Sequence, residues 1–375
     1  AMVGEEVERL LAGEPGLRGL VAPARERALE ALAAHGAYLE ELLDGPHRDP
    51  RIGPVLFARR LALTLHSPLS PGELLARAES RLAEIESEVE EAACRYLGSG
   101  APGGEGSAAI RAALDRVASQ APDDASVVQA VEAALGRCTG AVRQLGIVTV
   151  PDDPMVIEAM PVFRRGVAVA YCDPAGALEE GGETHLAIAP TPDGWPAEQK
   201  ASFYREYNHA MIVDLAAHEA MPGHMLQLAH ARRFAGSTPV RRVFESGTFV
   251  EGWAVHAERI VAESGLGGLP VKLQQLKMQL RTTINAVLDV SVHAGEMSKD
   301  EALGLMRRRG FQEEGEAEGK WRRALLTSTQ LSTYFVGFSE LDELFGNLGS
   351  RLDYDAVLAH GSPPPALLAG LLTEP

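Results

Sequence analysis

The segment HEAMPGH, residues 218–224, constrains the fold of this chain more than any other stretch of the sequence. Its histidines, His218 and His224, are six residues apart. Six residues turn an α-helix by about 600°, so on a straight helix the two side chains would point about 240° apart. Between them, Pro222 removes a backbone donor, and Gly223 can adopt backbone angles that other residues avoid. The sequence therefore predicts a helix that is irregular between the two histidines.

Looping out two residues would place both histidines on one side of the helix. The segment would then match the H-E-x-x-H pattern, in which two histidines four residues apart bind one zinc ion beside a glutamate that acts as general base. His218 and His224 are therefore predicted metal ligands. Glu219 is the predicted general base, which accepts a proton from water activated by the metal.

The segment ESGTFVEGWAVHAERI, residues 245–260, offers the third ligand that a catalytic metal site requires. Glu251 is the preferred candidate, because its distance from the first histidine is typical of a neighbouring antiparallel helix. Glu245 and Glu258 are the alternatives. Glu258 is expected on the same helix face as Glu251, either as a carboxylate that orients a metal-bound histidine or in a surface ion pair.

The hydrophobic pattern predicts one mainly helical domain, residues 1–375, with a small sheet inserted before the His-Glu helix. The expected parts are N-terminal helices (1–145), the sheet (146–190), the helices of the metal site (191–350) and a C-terminal tail (351–375). Apolar residues three and four apart predict helices over 24–44, 71–97, 107–119, 124–137, 196–234, 240–264, 270–293, 298–306 and 316–348. Ser70 and Glu73 predict a capping box at the second of these helices.

Short β-branched segments predict the strands of the sheet, which we expect to be antiparallel: 146–150, 155–160, 166–172 and 184–190. The last strand, THLAIAP, leads into the His-Glu helix. It is the predicted edge strand, which would pair with an extended peptide and lay a carbonyl beside the metal. A purely structural strand is the alternative.

Composition argues against several functional classes. The formal net charge of −17 disfavours nucleic acid and anionic membranes as main partners. The sequence contains no apolar run long enough to span a membrane, and AMVGEEVERL lacks the pattern of a signal peptide. Cys94, Cys138 and Cys172 are widely spaced, which is typical of reduced thiols. We therefore expect a cytoplasmic protein, and a homodimer is compatible with the sequence.

The motifs HEAMPGHMLQ and EGWAVHAE resemble those of the bacterial domain-of-unknown-function 885 family, HEAxPGHxxQ and EGWAxYxE. That family is distantly similar to helical zincins of the carboxypeptidase Taq and thimet oligopeptidase types. The resemblance extends over roughly residues 45–350, through LRTTINAVLDVSVHAGEMSKDEAL and RALLTSTQLSTYFVG. It implies a mainly α, zincin-like metallopeptidase architecture in which the small antiparallel sheet lies next to the metal-binding helix. It also implies zinc, bound by His218, His224 and Glu251, with Glu219 as base.

The same resemblance suggests residues on the substrate side of the site. Tyr334 and Arg323 would bind substrate or the developing oxyanion, and Gln330 lies in the same segment. Gln227 would orient a ligand or contact substrate, with a place on the helix surface as the alternative. His293 would face the metal cleft as a catalytic group, with a buried core histidine as the alternative.

Three positions depart from the family pattern. Met221 replaces an aromatic residue, His256 replaces the tyrosine of EGWAxYxE, and STQ (328–330) replaces PGQ. His256 would supply an acid–base group, a further ligand or a substrate contact. The chain is also shorter than typical members, and the missing part is expected to be N-terminal helices. These departures affect substrate-side positions and leave the predicted ligands unchanged.

Three functional hypotheses follow. The favoured one is a metal-dependent hydrolase, with zinc, that cleaves a peptide or amide bond in a small peptide or small-molecule substrate. The second is a metalloenzyme of another reaction class that acts on a small metabolite in a biosynthetic pathway, for which iron or manganese is also suited. The third is a non-catalytic, metal-stabilised protein. Glu219 argues against the third hypothesis, because a structural metal site needs no base.

Overall fold

The protein is mainly helical, with one small sheet. The structure, a computed structural model, describes residues 3–4, 7–46, 48–101, 106–161, 164–165, 169–179 and 181–372. Before the sheet, the helices are α1 (Val7–Gly13), α2 (Arg18–Leu43), α3 (Pro54–Leu65), α4 (Pro71–Leu97), α5 (Gly106–Ala118) and α6 (Val127–Leu145). The strands are β1 (Met155–Ala159), β2 (Ala170–Asp173) and β3 (Thr184–Ile188). The remaining helices are α7 (Ala197–Glu206), α8 (His209–Glu219), α9 (His224–Arg232), α10 (Val240–Val243), α11 (Gly247–Glu263), α12 (Gly268–His293), α13 (Lys299–Arg308), α14 (Glu314–Leu326), α15 (Thr333–Leu348), α16 (Tyr354–Leu358) and α17 (Pro365–Leu371).

Helix α4 begins and packs as its sequence predicts. The Ser70 side chain accepts a hydrogen bond from the Glu73 N–H, and the Glu73 carboxylate accepts one from the Ser70 N–H at 2.8 Å, so the capping box is confirmed. The apolar face of α4 buries Leu74, Leu82 and Val89. This face packs against α12, the most buried long helix of the site region.

The predicted helix over 316–348 is wrong, because the chain is interrupted between α14 and α15. The Asp289 carboxylate on α12 accepts hydrogen bonds from the N–H groups of Thr329 and Ser332, both at 3.0 Å. These bonds stabilise a turn in which Thr329 has a positive φ of 69°. Apolar spacing continues across this turn, and the residue that stabilises it is about forty positions away, so local sequence carries no signal of the break.

The sheet differs from its prediction in three respects. Its order is β1-β3-β2, with β1 parallel and β2 antiparallel to β3. The predicted strand over 146–150 is absent, and the antiparallel prediction holds only for the β2–β3 pair. Strand β3, which contains THLAI, is central, so its prediction as an edge strand is wrong. Part of the predicted strand 166–172 lies outside the described residues. Position within a sheet depends on distant pairing partners, which strand propensity does not encode.

Two glycines let α11 and α15 approach closely. A Cβ atom at Gly252 would overlap the backbone of Gly337, and a Cβ atom at Gly337 would overlap the carbonyl oxygen of Thr248. Helix α11 carries Glu251, and α15 carries Tyr334. The close contact of these two helices therefore sets the distance between two predicted site residues.

Replacing Gly337 by alanine is expected to destabilise the protein by about 1–3 kcal/mol, because the methyl group must push two helix backbones apart. The measurement is the free energy of unfolding in denaturant. Gly346→Ala on the same helix is the matched control, since nothing lies within 4 Å of a Cβ atom there. This control should be neutral or stabilised by up to about 1 kcal/mol. Equal stability of the two variants would contradict the packing argument.

Two further sequence predictions concern cysteines and membranes. All three cysteines are free thiols: Cys94 is exposed, Cys138 is buried and Cys172 is half-buried. Across the described ranges, no helix combines the length and the apolar character needed to cross a membrane.

Candidate metal centre

The predicted irregularity between the two histidines is confirmed. Helix α8 ends at Glu219 and α9 begins at His224, with four non-helical residues between them. At Gly223 a Cβ atom would overlap the carbonyl oxygen of His218, so only glycine fits this turn. The indole N–H of Trp253 on α11 donates to the carbonyl of Pro222 at 2.7 Å. This hydrogen bond therefore connects the segment between the two histidine helices to α11, the helix that carries the third candidate ligand.

The structure brings His218, His224 and Glu251 together. Oε2 of Glu251 lies 3.7 Å from Nε2 of His218 and 3.6 Å from Nε2 of His224. One candidate ligand atom from each residue lies within 4.8 Å of the other two. The imidazole rings are almost perpendicular, at 87°, with centroids 4.7 Å apart. These residues are hereafter called the triad.

The triad fits a zinc ion. Around a tetrahedral ion with bonds of about 2.0–2.1 Å, ligand atoms lie about 3.3 Å apart, close to the two distances between the nitrogens and the carboxylate oxygen. Oε2 of Glu251 is buried, and within the part of the chain that the structure describes it accepts no hydrogen bond. An acceptor of this kind is costly to bury unless a cation satisfies it. Two imidazoles and one carboxylate also make a set of three ligands typical of catalytic zinc.

Glu258 orients His218. Its Oε1 lies 2.7 Å from Nδ1 of His218, and its side chain is only 2% exposed. The hydrogen bond leaves Nε2 of His218 directed towards Glu251. Of the two interpretations of Glu258, the buried orienting carboxylate is therefore correct and the surface ion pair is wrong. Glu245, the other alternative ligand, is exposed in the loop before α11 and lies outside the triad.

The two histidines differ in their pKa values. Burial disfavours a charged His218, but its contacts with Glu251 and Glu258 outweigh this effect and raise its pKa well above the usual value. Burial, with a smaller effect from the charge of His218, lowers the pKa of His224 to about 4. His224 is therefore a neutral imidazole at pH 7, which is the form that binds metals.

Glu219 lies between the triad and the sheet. Its Oε2 accepts a hydrogen bond from the N–H of Cys172 on β2 at 3.3 Å. Burial raises the pKa of Glu219, although the charge of His218 and this hydrogen bond oppose the rise. A raised pKa suits a carboxylate that must accept a proton and then release it near neutral pH. The sheet edge beside this carboxylate is β2, not the predicted β3.

Tyr334, Arg323 and Gln330 form one cluster near the triad. Nε and Nη2 of Arg323 donate to Oε1 of Gln330 at 3.1 and 2.8 Å, and Nη2 lies 3.5 Å from the hydroxyl of Tyr334. Burial and then the charge of Glu251 raise the pKa of Tyr334. Burial opposes the change, but His218 and His224 lower the pKa of Glu251, and the charge of Arg323 adds to their effect. The turn before α15 therefore brings these predicted substrate-side residues into the electrostatic field of the triad.

His293 lies in the core instead of in the metal cleft, which corrects its prediction as a catalytic group. Its Nε2 is 2.7 Å from the carbonyl oxygens of both Ala324 and Thr327, at the end of α14. Its ring stacks on Phe57 of α3 with centroids 5.8 Å apart. This histidine therefore joins three helices and corresponds to the core alternative.

Gln227 and His256 are also buried in places that the sequence did not predict. Nε2 of Gln227 donates to Oγ of Ser362 at 2.8 Å, and the side chain is fully buried, so it does not lie on the helix surface. Nε2 of His256 lies 2.7 Å from the hydroxyl of Tyr354, and burial, with a smaller effect from Arg259, lowers the pKa of His256 to about 3. Both partners belong to the predicted tail, which packs against the helices of the site.

Tyr207, just after α7, was not identified from the sequence. Burial and the charges of Glu206 and Glu316 raise the pKa of Tyr207, and the charge of Glu219 adds to the effect. Tyr207 therefore lies within the electrostatic range of the predicted base. Tyr207 belongs to no sequence motif, so only the tertiary structure, which brings it near the site, identifies it.

Comparisons with known proteins identify a family and two solved structures of similar fold. The family model described as "Bacterial protein of unknown function (DUF885)" matches residues 2–372. Among solved structures, the chain is similar to a "putative lipoprotein of unknown function" from Shewanella oneidensis, with 28% identity and a TM-score of 0.79, over 99% of this chain and 70% of that chain. It is also similar in fold to a "putative lipoprotein" from Colwellia psychrerythraea, with 20% identity and a TM-score of 0.74, over 94% of this chain and 60% of that chain.

No curated protein matches this chain. The family model, in contrast, covers almost its whole length, including the helix break, the triad and the segment of Tyr334. The chain therefore belongs to the domain-of-unknown-function 885 family of bacterial proteins.

Proposed function

We propose that this protein is a metal-dependent hydrolase of zincin-like architecture, in which His218, His224 and Glu251 bind zinc and a peptide or amide bond is cleaved. The observation that carries the proposal is the convergence of three ligand atoms within 4.8 Å, with Glu219 beside them. A purely structural metal site would need no adjacent carboxylate of raised pKa.

Each residue around the triad would have a separate role in hydrolysis. A zinc ion held by the triad would supply Lewis acidity, which would lower the pKa of water at the site to about 7 and polarise a carbonyl group. Glu219 accepts a proton from the attacking water and donates it to the leaving nitrogen. The hydroxyl of Tyr334 would donate a hydrogen bond to the oxyanion that develops at the carbonyl oxygen. Glu258 would hold the His218 ring so that its Nε2 remains directed towards the other two triad residues.

Strand β2 is the proposed edge for an extended substrate. It lies at the end of the β1-β3-β2 order, and its Cys172 N–H points away from β3 towards Glu219. A peptide paired along this edge would bring its carbonyl groups next to the base. This replaces the role that the sequence suggested for β3.

Removing the metal is expected to abolish hydrolysis. The measurement is turnover of a panel of peptides and acyl amides by the purified protein before chelation, after chelation and after stoichiometric zinc is restored. We expect activity to disappear with chelator and to return with zinc, because water at neutral pH is a poor nucleophile without a metal. Turnover that is unaffected by complete metal removal would exclude the proposal.

The alternative reaction class loses one of its motivations in the structure. His256 was one of three features that suggested other chemistry, together with the shorter N-terminal part and the STQ segment, but it is 3% exposed and hydrogen-bonded to Tyr354. Elemental analysis of protein purified without added metal addresses what remains of this alternative. Iron or manganese instead of zinc would favour it.

The cellular location stays a prediction. Cytoplasmic location was expected from the sequence, whereas lipoprotein is the description of the two similar structures. Fractionation of the native host with an antibody against this chain would decide between cytoplasm and envelope.

A further inference from the structure

Two cations on α14 lie one turn apart on the substrate side of the site. Lys320 and Arg323 are three residues apart, so their side chains are neighbours on the helix surface. Arg323 is exposed, and its hydrogen-bond partners among the described residues are neutral: Gln330 and Tyr334. Lys320 is half-buried. Within the described ranges, neither cation forms an ion pair with a carboxylate.

The carboxylate that could neutralise Lys320 is already engaged. Glu316, four residues earlier on the helix, forms an ion pair with Arg281 at 3.1 Å and accepts a hydrogen bond from Gln312 at 2.9 Å. Glu206 on α7 is likewise engaged with Arg281. Burial, followed by the nearby cations Arg281 and Arg323, lowers the pKa of Lys320 to about 8, although Glu316 opposes this change. Glu316 and Glu206 therefore act on Lys320 from a distance, while their direct ion pairs are with Arg281.

The position of these cations relative to the triad suggests that they bind part of the substrate. Arg323 reaches the hydroxyl of Tyr334, which is the proposed donor to the oxyanion, and its charge influences Glu251. An anion bound by Arg323 and Lys320 would therefore lie beside a carbonyl group held at the triad. Arg323 is exposed and Lys320 is half-buried beside it, so a ligand would approach from the side of the Arg323 guanidinium.

We propose that Lys320 and Arg323 form an anion subsite that binds a free carboxylate of the substrate next to the scissile amide. The substrate class would then be small peptides or N-acyl amino acids with an unblocked carboxyl group. This substrate assignment rests on the proposed hydrolase function. The carboxylate subsite itself does not, because it can be tested by binding alone.

The chemistry of the two side chains suits a carboxylate. A guanidinium group presents parallel N–H donors that match the two oxygens of a carboxylate, and a lysine adds a point charge from the side. In the structure this guanidinium fork is occupied by a single amide oxygen, Oε1 of Gln330. A carboxylate would replace this neutral acceptor with a charged one and form stronger hydrogen bonds.

The test compares N-benzoylglycine with N-benzoylglycinamide, which differ only in the carboxylate. Binding is measured by calorimetry on chelated protein, so that the carboxylate cannot bind a metal. We expect the acid to bind at least about tenfold more tightly than the amide, as expected for hydrogen bonds to a charged group. Lys320→Gln and Arg323→Gln should each reduce this preference several-fold, and the double variant should remove it.

Arg322→Gln is the matched control. Arg322 is exposed on the same helix, and its side chain points about 100° away from that of Arg323. The control loses the same charge and should retain the preference for the acid, as should Lys320→Arg. Thermal unfolding of each variant verifies that α14 remains folded.

The outcomes separate the subsite from the hydrolase proposal. Equal binding of acid and amide by the unaltered protein would overturn the subsite, and so would a preference that survives the double variant. Tighter binding of inorganic phosphate than of the acid, lost in the same variants, would overturn the assignment to a carboxylate. A preference that depends on Lys320 and Arg323, in a protein that hydrolyses neither free nor amidated peptides after zinc is restored, would retain the subsite and reject the hydrolase.

Discussion

Replacing His224 by glutamine is expected to reduce the zinc affinity of the protein by more than about 100-fold. Removing a residue that only hydrogen-bonds to a metal ligand already reduces metal affinity by up to about 100-fold, and losing a ligand should cost more. His224 supplies one of three converging ligand atoms and is neutral at pH 7, so it needs no deprotonation before it binds. Zinc is measured by elemental analysis after dialysis and by competition with a chromogenic chelator. We expect about one equivalent in the unaltered protein and almost none in the variant.

His209→Gln is the control for this experiment. His209 is exposed at the start of α8, the same helix that carries His218, so the substitution changes a histidine without changing the triad. This control should bind zinc as the unaltered protein does. If His224→Gln retains full zinc occupancy while folded, the metal lies elsewhere and the triad is not its site.

Replacing Glu219 by glutamine is expected to lower kcat for amide hydrolysis by about 10²–10⁴-fold while zinc remains bound. Glutamine has nearly the same shape, and its amide oxygen can still accept the hydrogen bond from Cys172, but it cannot accept a proton from water. Zinc content and kcat are therefore measured on the same preparation. The combination of full zinc and lost turnover distinguishes a general base from a ligand.

Glu263→Gln at the end of α11 is the control for the loss of a carboxylate, because that side chain is 61% exposed. It should leave both zinc content and kcat unchanged. Undiminished turnover by zinc-loaded Glu219→Gln would remove Glu219 from the mechanism. Loss of zinc from that variant would instead make Glu219 a ligand, which the sequence did not predict.

Local chemistry explains why the helix break could be predicted. Pro222 and Gly223 act on backbone groups within five residues of themselves, so their effect is visible in the sequence. The same is true of the capping box at α4, which needs only Ser70 and Glu73. The approximate positions of the long helices also followed from apolar spacing, which reports the buried face of each helix.

The errors share a different cause, which is contact between distant parts of the chain. The break before α15 depends on Asp289, and the buried position of His293 depends on the end of α14 and on Phe57. Gln227 and His256 form hydrogen bonds with Ser362 and Tyr354, from a segment predicted as a tail. For such polar side chains a motif identifies the residue, but only the packed neighbours decide whether it faces substrate or core.

The sequence by itself determined that two histidines must meet across a broken helix, because proline and glycine impose that geometry on their own backbone. It also identified Glu251 as the preferred partner on the next long helix. Only the tertiary structure decided that β2 borders the site, that Glu258 holds His218, and that Glu316 forms its ion pair with Arg281. These features depend on which elements pack together, since hydrogen bonds and ion pairs form between groups that are close in space and far apart in the chain.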